Sequence, residues 1–205
     1  MAQRLHSGSR TSRALRHDLR HTMSTVVLGT LVGFGTTQLI LAGVIPLSTT
    51  WPTPTELLRE FIVYVVLFDA YFYALHRLLH TPFLYRTIHA AHHRSRAPGV
   101  LTALAFHPLE GLLIIGFMPA AMWLVPIHLA SFVVTSGFLL GSILLAHCGF
   151  DVFPPWWYRV PLLNWYVTPR VHDVHHTRRN CNYSATLSIF DRAFNTLGEP
   201  RRRPE

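Results

Sequence analysis

Apolar residues in this chain come in long blocks rather than short alternations. Residues 24–47 carry no charged side chain, and a helix needs about 20 predominantly apolar residues to cross a bilayer core. A second block, 57–75, is interrupted by Arg59 and Glu60 near its start and by Asp69 inside it. Residues 111–127 and 129–146 are apolar and uncharged, parted only around Pro126 and His128, which is the pattern of a helical hairpin. The chain is therefore expected to be all-α, with four membrane spans at 24–47, 57–75, 111–127 and 129–146. One membrane domain over residues 23–198 would hold them, with a basic segment 1–22 before it and a basic tail 199–205 after it.

Charge adds an orientation. All 18 cationic side chains are arginine, and the formal net charge is +8. Arg4, Arg10, Arg13, Arg16 and Arg20 precede the first span, which places the N-terminus in the cytoplasm by the excess of positive charge expected there. Counting spans from that end, residues 76–110 and 147–205 also emerge in the cytoplasm, and only Arg59 falls on the far side. A basic chain can bind nucleic acid, but these arginines flank apolar blocks, where anionic headgroups attract them. No nucleic-acid partner is expected, and Arg201–Arg203 read as a solvated tail. Cys148 and Cys181 both fall on the reducing side, so no disulfide is expected. The first apolar block exceeds a signal-peptide core and no small-residue cleavage site follows it, so a retained span is expected. The Arg- and Ser-rich, acid-poor leader also has the composition of an organelle transit peptide.

Chemistry enters with the 14 histidines. Eight fall into three clusters: His76 and His80 in HRLLH; His89, His92 and His93 in HAAHH; His172, His175 and His176 in HDVHH. On a helix, residues three and four apart share a face, so each cluster is expected to aim its imidazoles at one point. Imidazole suits iron, zinc, copper and nickel. Eight such ligands exceed the four to six positions of one ion, which points to a two-metal cage on a cytoplasmic helical cap. All three clusters are expected on the same membrane face.

The residues around the clusters define a second set of expectations. Ligating histidines usually donate their other ring N–H to an oxygen, and Asp69, Glu110, Asp151 and Asp173 stand near the clusters as candidate acceptors. Asp69 lies two turns before His76 inside a span, where an ionisable group is costly and functional by default. His107 and His147 are single histidines, each a candidate ninth or tenth ligand; His6, His17, His21 and His128 lie outside the three clusters and receive no role. No Glu precedes a His by three residues, so the Glu-x-x-His pattern of soluble di-iron bundles is absent. Closed structural zinc sites take four ligands, often including Cys, half the supply here.

At these residues the chain resembles the fatty acid hydroxylase/sterol desaturase superfamily of membrane di-iron oxygenases. The resemblance covers about residues 65–198 and rests on DAYFYALHRLLH (from Asp69), HAAHH, HPLE (from His107), HCGFD (from His147), HDVHH and NYSATLSIFDRAFNTL (from Asn182). HCGFD and HDVHH look most like the sterol desaturase and C4-methyl oxidase branch. The resemblance implies two iron ions held by the eight clustered histidines, with His147 and His107 as possible additions, and O2 as cosubstrate. It implies hydroxylation or desaturation of an unactivated C–H position in a membrane lipid that is sterol-like, isoprenoid or fatty acyl, with no catalytic residue beyond the metal centre. Asn182 and Tyr183 match a motif of the family and are candidates for supporting the site. The chain shows no Cys cluster for iron–sulfur and no Gly-rich nucleotide fingerprint. Electrons would then come from a separate donor: a reductase, a ferredoxin or a cytochrome b5-like protein. Phe72, Tyr73, Trp156, Trp157 and Trp165 are candidates to line a lipid passage, although such residues are commonly interfacial anchors. The competing class is a histidine-rich membrane protein that binds or transports metal without oxidase turnover. Transporters place ionisable groups at the membrane midplane, and apart from Asp69 these spans lack them.

Overall fold

The structure is a computed structural model that describes residues 3–6, 11–95 and 97–198. Arg10 and the tail 199–205, with Arg201–Arg203, lie outside the described residues. In chain order the helices are α1 (Ser12–Leu41), α2 (Pro54–Leu79), α3 (Pro82–Thr87), α4 (Pro108–Ile115), α5 (Phe117–Leu124), α6 (Leu129–Ala146), α7 (Pro169–Arg178) and α8 (Ile189–Ala193). Four two-residue strands, β1 (Gln3–Arg4), β2 (Leu47–Ser48), β3 (Ile127–His128) and β4 (Phe150–Asp151), pair β1 with β4 antiparallel and β2 with β3 parallel.

Local signals set the ends of the long helices. Thr11 caps α1 by accepting the Ala14 N–H at 3.2 Å, a typical helix start. α1 stops where Gly43 takes a φ of 73°, a left-handed conformation that lets Gly43 and Val44 return their N–H groups to Ile40 and Leu39. α2 opens on a reciprocal cap between Thr53 and Glu56, with Pro54 in its first turn. Helix α1 begins well before the first expected span, taking Arg13, Arg16 and Arg20 onto its first turns.

Among the described residues three helices, α1, α2 and α6, are long and apolar enough to cross a membrane, and this is a membrane protein. The third expected span, 111–127, takes a different form: two eight-residue helices, α4 and α5, meeting at Gly116. Their combined length at 1.5 Å per residue is about 25 Å, short of the ~30 Å hydrocarbon core.

Side-chain anchors give the directions of the helices. At the start of α1, Asp18 accepts hydrogen bonds from Ser95 and Thr102, each at 2.7 Å, and Thr22 donates to the Leu101 carbonyl at 2.7 Å. This end of α1 therefore lies against the segment that follows HAAHH. At the other end of the layer, Glu60 near the start of α2 accepts the His128 N–H at 3.1 Å, and the Tyr64 hydroxyl donates to the Val125 carbonyl. The start of α2, the end of α5 and the start of α6 thus meet at the end remote from the histidines. The chain runs through the helical layer four times: α1 away from the histidine clusters, α2 toward them, α4–α5 away and α6 back.

The core lies between α2, α5 and α6, around Tyr64, Val65, Phe68, Met122, Ile127 and Leu139. The buried face of α6 reads Ser131, Thr135, Leu139, Ser142, Ala146, a helical spacing of mostly small residues that lets neighbouring backbones approach. α1 is almost bare: Met23, Val27, Leu31 and Phe34 are each more than half exposed, as expected of a span that faces hydrocarbon.

Candidate metal centre

Nine histidines meet where α2 and α6 end. One group is His76, His80, His89, His93 and His175; the other is His92, His147, His172 and His176. Within each group the ligand-capable nitrogens lie within 4.8 Å of one another. All nine rings except His80 are buried.

Four pieces of chain supply them. α2 carries His76 on its last turn and ends at His80. His89–Arg94 forms a 3-10 helix, α7 carries HDVHH, and His147 stands at the end of α6. The expectation that each His-x-x-His-His motif converges on one point is corrected here, because each motif is divided between the two groups. Rings three apart run nearly parallel: His89 and His92 are 5.6 Å apart at 28°, and His172 and His175 are 5.6 Å apart at 26°. Parallel rings point past each other to separate sites. Rings four apart are crossed, 4.7 Å at 70° for His89 and His93 and 4.8 Å at 72° for His172 and His176, and these stay together. Each motif thus gives two rings to its own group and one to the other.

The tautomers test whether metal fits. Nδ1 of His76 donates to the Tyr183 carbonyl and Nδ1 of His175 to the Cys181 carbonyl, both at 2.7 Å; Nδ1 of His147 donates to the Ile143 carbonyl at 2.8 Å. His89 Nδ1 lies 2.7 Å from Glu110 Oε1. A neutral imidazole that donates through Nδ1 leaves Nε2 as a bare lone pair. Yet Nε2 of His76 faces Nε2 of His89 at 3.1 Å. Two lone pairs so close repel, and a cation between them removes the conflict. His147 Nε2 meets Nε2 of His172 at 2.9 Å, of His176 at 3.3 Å and of His92 at 3.4 Å. Metal–imidazole bonds of about 2.0–2.1 Å, as in zinc sites, put adjacent ligand nitrogens about 3 Å apart. His80 Nε2 is buried with no hydrogen-bond partner among the protein atoms, an orphaned nitrogen that a metal ion in the first group would satisfy. The donor set therefore fits a divalent metal ion in each group.

Burial also keeps the rings neutral. Desolvation, assisted by the neighbouring imidazole of His76, pushes His80 down to about 3, and desolvation lowers His147 to about 4. His89, His92, His93, His172, His175 and His176 are held well below 6.5 by burial first and by neighbouring imidazoles, His76 and His147 among them, second. A neutral ring is the form that binds metal.

The other candidate residues take varied places. His107 belongs to neither group; it is the N-cap of α4, and its Nδ1 accepts the Leu109 N–H at 3.3 Å. Asp69 binds protein backbone rather than an imidazole: it accepts from Thr186 N–H at 2.8 Å, Thr186 hydroxyl at 2.6 Å and Leu187 N–H at 2.8 Å. Asp151 accepts from the Tyr158 hydroxyl, and Asp173 pairs with His6, each at 2.5 Å. Of the four acids, Glu110 is the one with a hydrogen bond to a clustered ring. Asn182, at a φ of 58°, ties Val171 and Gly198 to itself, and Tyr183 lays its ring 5.1–5.7 Å from those of His76, His80 and His175. Phe72 packs on His76, Trp165 lies under Arg192, and Trp156 is 55% exposed.

Several supporting residues escaped the sequence reading. Asp191 accepts from Tyr183 N–H at 2.8 Å, Ser184 N–H at 2.9 Å and Thr196 hydroxyl at 2.7 Å, fixing the loop whose carbonyls receive His76 and His175. An acid beside the apolar pair Ile189–Phe190 was its signal. Asp18 is the single acid before Glu56, and that isolation among arginines was its signal. The four histidines given no role also have partners: His6 in Asp173, His21 in the Phe106 carbonyl, His128 in Glu60 and His17 in Asp18, and the rings of His17 and His21, one turn apart on α1, lie 4.6 Å from each other.

Comparison with known proteins points the same way. Residues 61–196 match the family described as fatty acid hydroxylase. A very-long-chain aldehyde decarbonylase of Oryza sativa subsp. japonica is 31% identical over 133 residues, 62% of this chain and 21% of its own length. A Dictyostelium discoideum protein provisionally named a methylsterol monooxygenase is 35% identical over 128 residues, 62% of this chain and 46% of its own. Fatty acid hydroxylase domain-containing protein 2 of Macaca fascicularis is 32% identical over 149 residues, 71% of this chain and 40% of its own. The chain spans less than half the length of each of these relatives. No solved structure matches it.

Proposed function

The chain belongs to the fatty acid hydroxylase family, and from that premise we propose that it is an oxygen-dependent oxidoreductase acting on an unactivated C–H position of a membrane lipid. One iron ion sits in each histidine group in this reading, and the product is an alcohol or a double bond. The observation that carries it is the set of facing Nε2 nitrogens, 2.9–3.4 Å apart in two adjoining groups. Relatives named for methylsterols and for very-long-chain aldehydes support a lipid as the substrate class.

Bound iron supplies the oxidation chemistry that no side chain here can perform. The protein's part is to hold nine neutral rings in place. The carbonyls of Tyr183, Cys181 and Ile143 fix the tautomer and the orientation of His76, His175 and His147, and Glu110 gives the His89 ring a buried carboxyl oxygen as its hydrogen-bond partner. Buried rings and the apolar layer below them keep bulk water out. Electrons come from a separate donor, a reductase, ferredoxin or cytochrome b5-like protein.

In the bilayer, α1, α2, α6 and the α4–α5 pair make four crossings, with α4–α5 as a short span bent at Gly116. The end carrying the histidines faces the cytoplasm. Arg77, Arg86, Arg94, Arg178 and Arg179 belong to that end while Arg59 stands at the other, which is the charge bias that orients membrane proteins. Residues 23–198 form the membrane oxygenase domain.

The test is metal analysis together with turnover. Purified protein should carry about two irons, and membranes supplied with reductant and O2 should yield oxidised lipid that disappears in His92→Ala and His175→Ala. Unchanged oxidation in both variants would refute the reading. Two tightly held zinc ions with no oxygen consumption would favour a metal-binding protein without turnover.

A further inference from the structure

Beside α6, one turn short of the histidines, lies a groove of about 400 Å³. Its floor is Gly137, Gly141 and Leu145 on a single helix face, and its walls are Phe153, Trp157 and Tyr166 from the segment that follows His147. The rings form a connected wall: Phe153 lies 4.7 Å from Trp157 and 5.7 Å from Tyr166. A Cβ placed on Gly137 or Gly141 would meet nothing within 4 Å, so these glycines leave open space instead of accommodating a packed neighbour. Beside the hydroxyl-bearing Ser142 and Tyr166 of the lining, Trp157 adds a polar group without a partner, because its indole Nε1 is buried and has no hydrogen-bond partner. Tryptophan N–H groups usually find an acceptor when buried.

The geometry points to a binding site for the hydrocarbon segment of a membrane lipid, lying along the glycine face of α6 with an oxygen of the same molecule accepting from Trp157 Nε1. The size decides the occupant. A single turn of a helix about 10 Å wide fills about 400 Å³, so the groove holds one turn at most, while a seam between two copies of this chain needs several. A single flexible chain fits. Position agrees with this: the groove opens from a membrane-spanning helix beside exposed Val133, Val134 and Leu140, where hydrocarbon is the surrounding medium. Its inner end, Leu145, is two residues from His147, whose ring belongs to the four-histidine group. As the seat of the lipid to be oxidised, the site rests on the oxygenase reading above; as a lipid site it stands apart from it.

The test uses quenching of tryptophan fluorescence in the full chain in detergent micelles, titrated with phosphatidylcholine carrying dibrominated acyl chains. The Trp157 signal is the difference between the protein and Trp157→Phe. Saturable quenching at about one lipid per chain is expected, with the midpoint moved at least tenfold to higher lipid in Gly141→Leu, whose side chain fills the groove. Gly137→Leu repeats the test from the other floor position, and unchanged helix content shows that each variant is folded. Quenching that rises linearly with lipid and is the same in both folded variants would mean ordinary surrounding lipid and overturn the site. Spontaneous crosslinking of Gly141→Cys between two copies would make the groove a dimer seam and overturn it as well. Metal content is measured in the same samples: no saturable quenching in the unmutated protein with its metals retained rejects the groove alone, and saturable quenching without redox-active metal rejects the oxygenase reading alone.

Discussion

Glu110 Oε1 lies 2.7 Å from Nδ1 of His89, and both side chains are sealed from solvent, at 2% and 1% exposure. A carboxylate in this position fixes the ring with Nε2 toward the metal and raises its strength as a ligand. Loss of such a partner typically costs 10–100-fold in metal affinity. Glu110→Ala is therefore expected to weaken metal retention about 10–100-fold, and Glu110→Gln, which keeps an oxygen acceptor, to weaken it less. Competition with a chelator followed by metal analysis checks both.

Asp69 acts one step further out. Its fully buried carboxylate accepts two backbone N–H groups and one hydroxyl from Thr186 and Leu187, pinning the loop that supplies the Tyr183 and Cys181 carbonyls. Each buried donor left unpaired costs about 1–3 kcal/mol. Asp69→Ala should lower the unfolding midpoint in detergent and release metal, whereas Asp69→Asn, which retains an acceptor, should lose less of either.

His107 and His147 should part company under mutation. His107→Ala removes a helix cap, worth about 1 kcal/mol, and should leave the metal content unchanged; His107→Asn should restore the stability. His147→Ala should lower the metal content. Metal analysis and thermal unfolding of the three variants test the distinction.

The metal-free protein should lose stability in acid. His80 and His147 titrate at about 3 and about 4 when folded, against 6.5 for a free imidazole. Because the folded values lie below the unfolded one, the unfolded chain binds more protons between them. Stability is fully present above about pH 6.5, is lost as pH falls from there toward about 4 for His147 and about 3 for His80, and declines by up to about 1.4 kcal/mol per pH unit for each ring that must stay neutral. Unfolding of chelator-treated protein between pH 7.5 and 4.5 should show this fall. A flat profile would mean that the rings are already solvated without metal.

The histidine motifs and the uncharged apolar blocks between them are legible in the sequence. Uncharged apolar runs can be satisfied in few ways, so α2 and α6 were legible, as was the gathering of the three clusters at one end of the layer. Helical spacing showed that neighbouring histidines would act together. What it could not show was how they divide, because that depends on ring directions: His89 and His92 lie parallel and serve different groups, while His89 and His93 cross and serve the same one. Only the tertiary structure separated His147, whose Nε2 meets those of His92 and His172 across 55 and 25 residues of chain, from His107, whose Nδ1 is taken by a residue two positions on. It also paired Asp69 with Thr186 across 117 residues and His6 with Asp173 across 167. Periodicity is a local property and sets which face a side chain occupies. Which partner lies opposite that face is fixed by the packing of helices far apart in the chain, and on that depends whether a buried polar group becomes a ligand, a cap or an anchor.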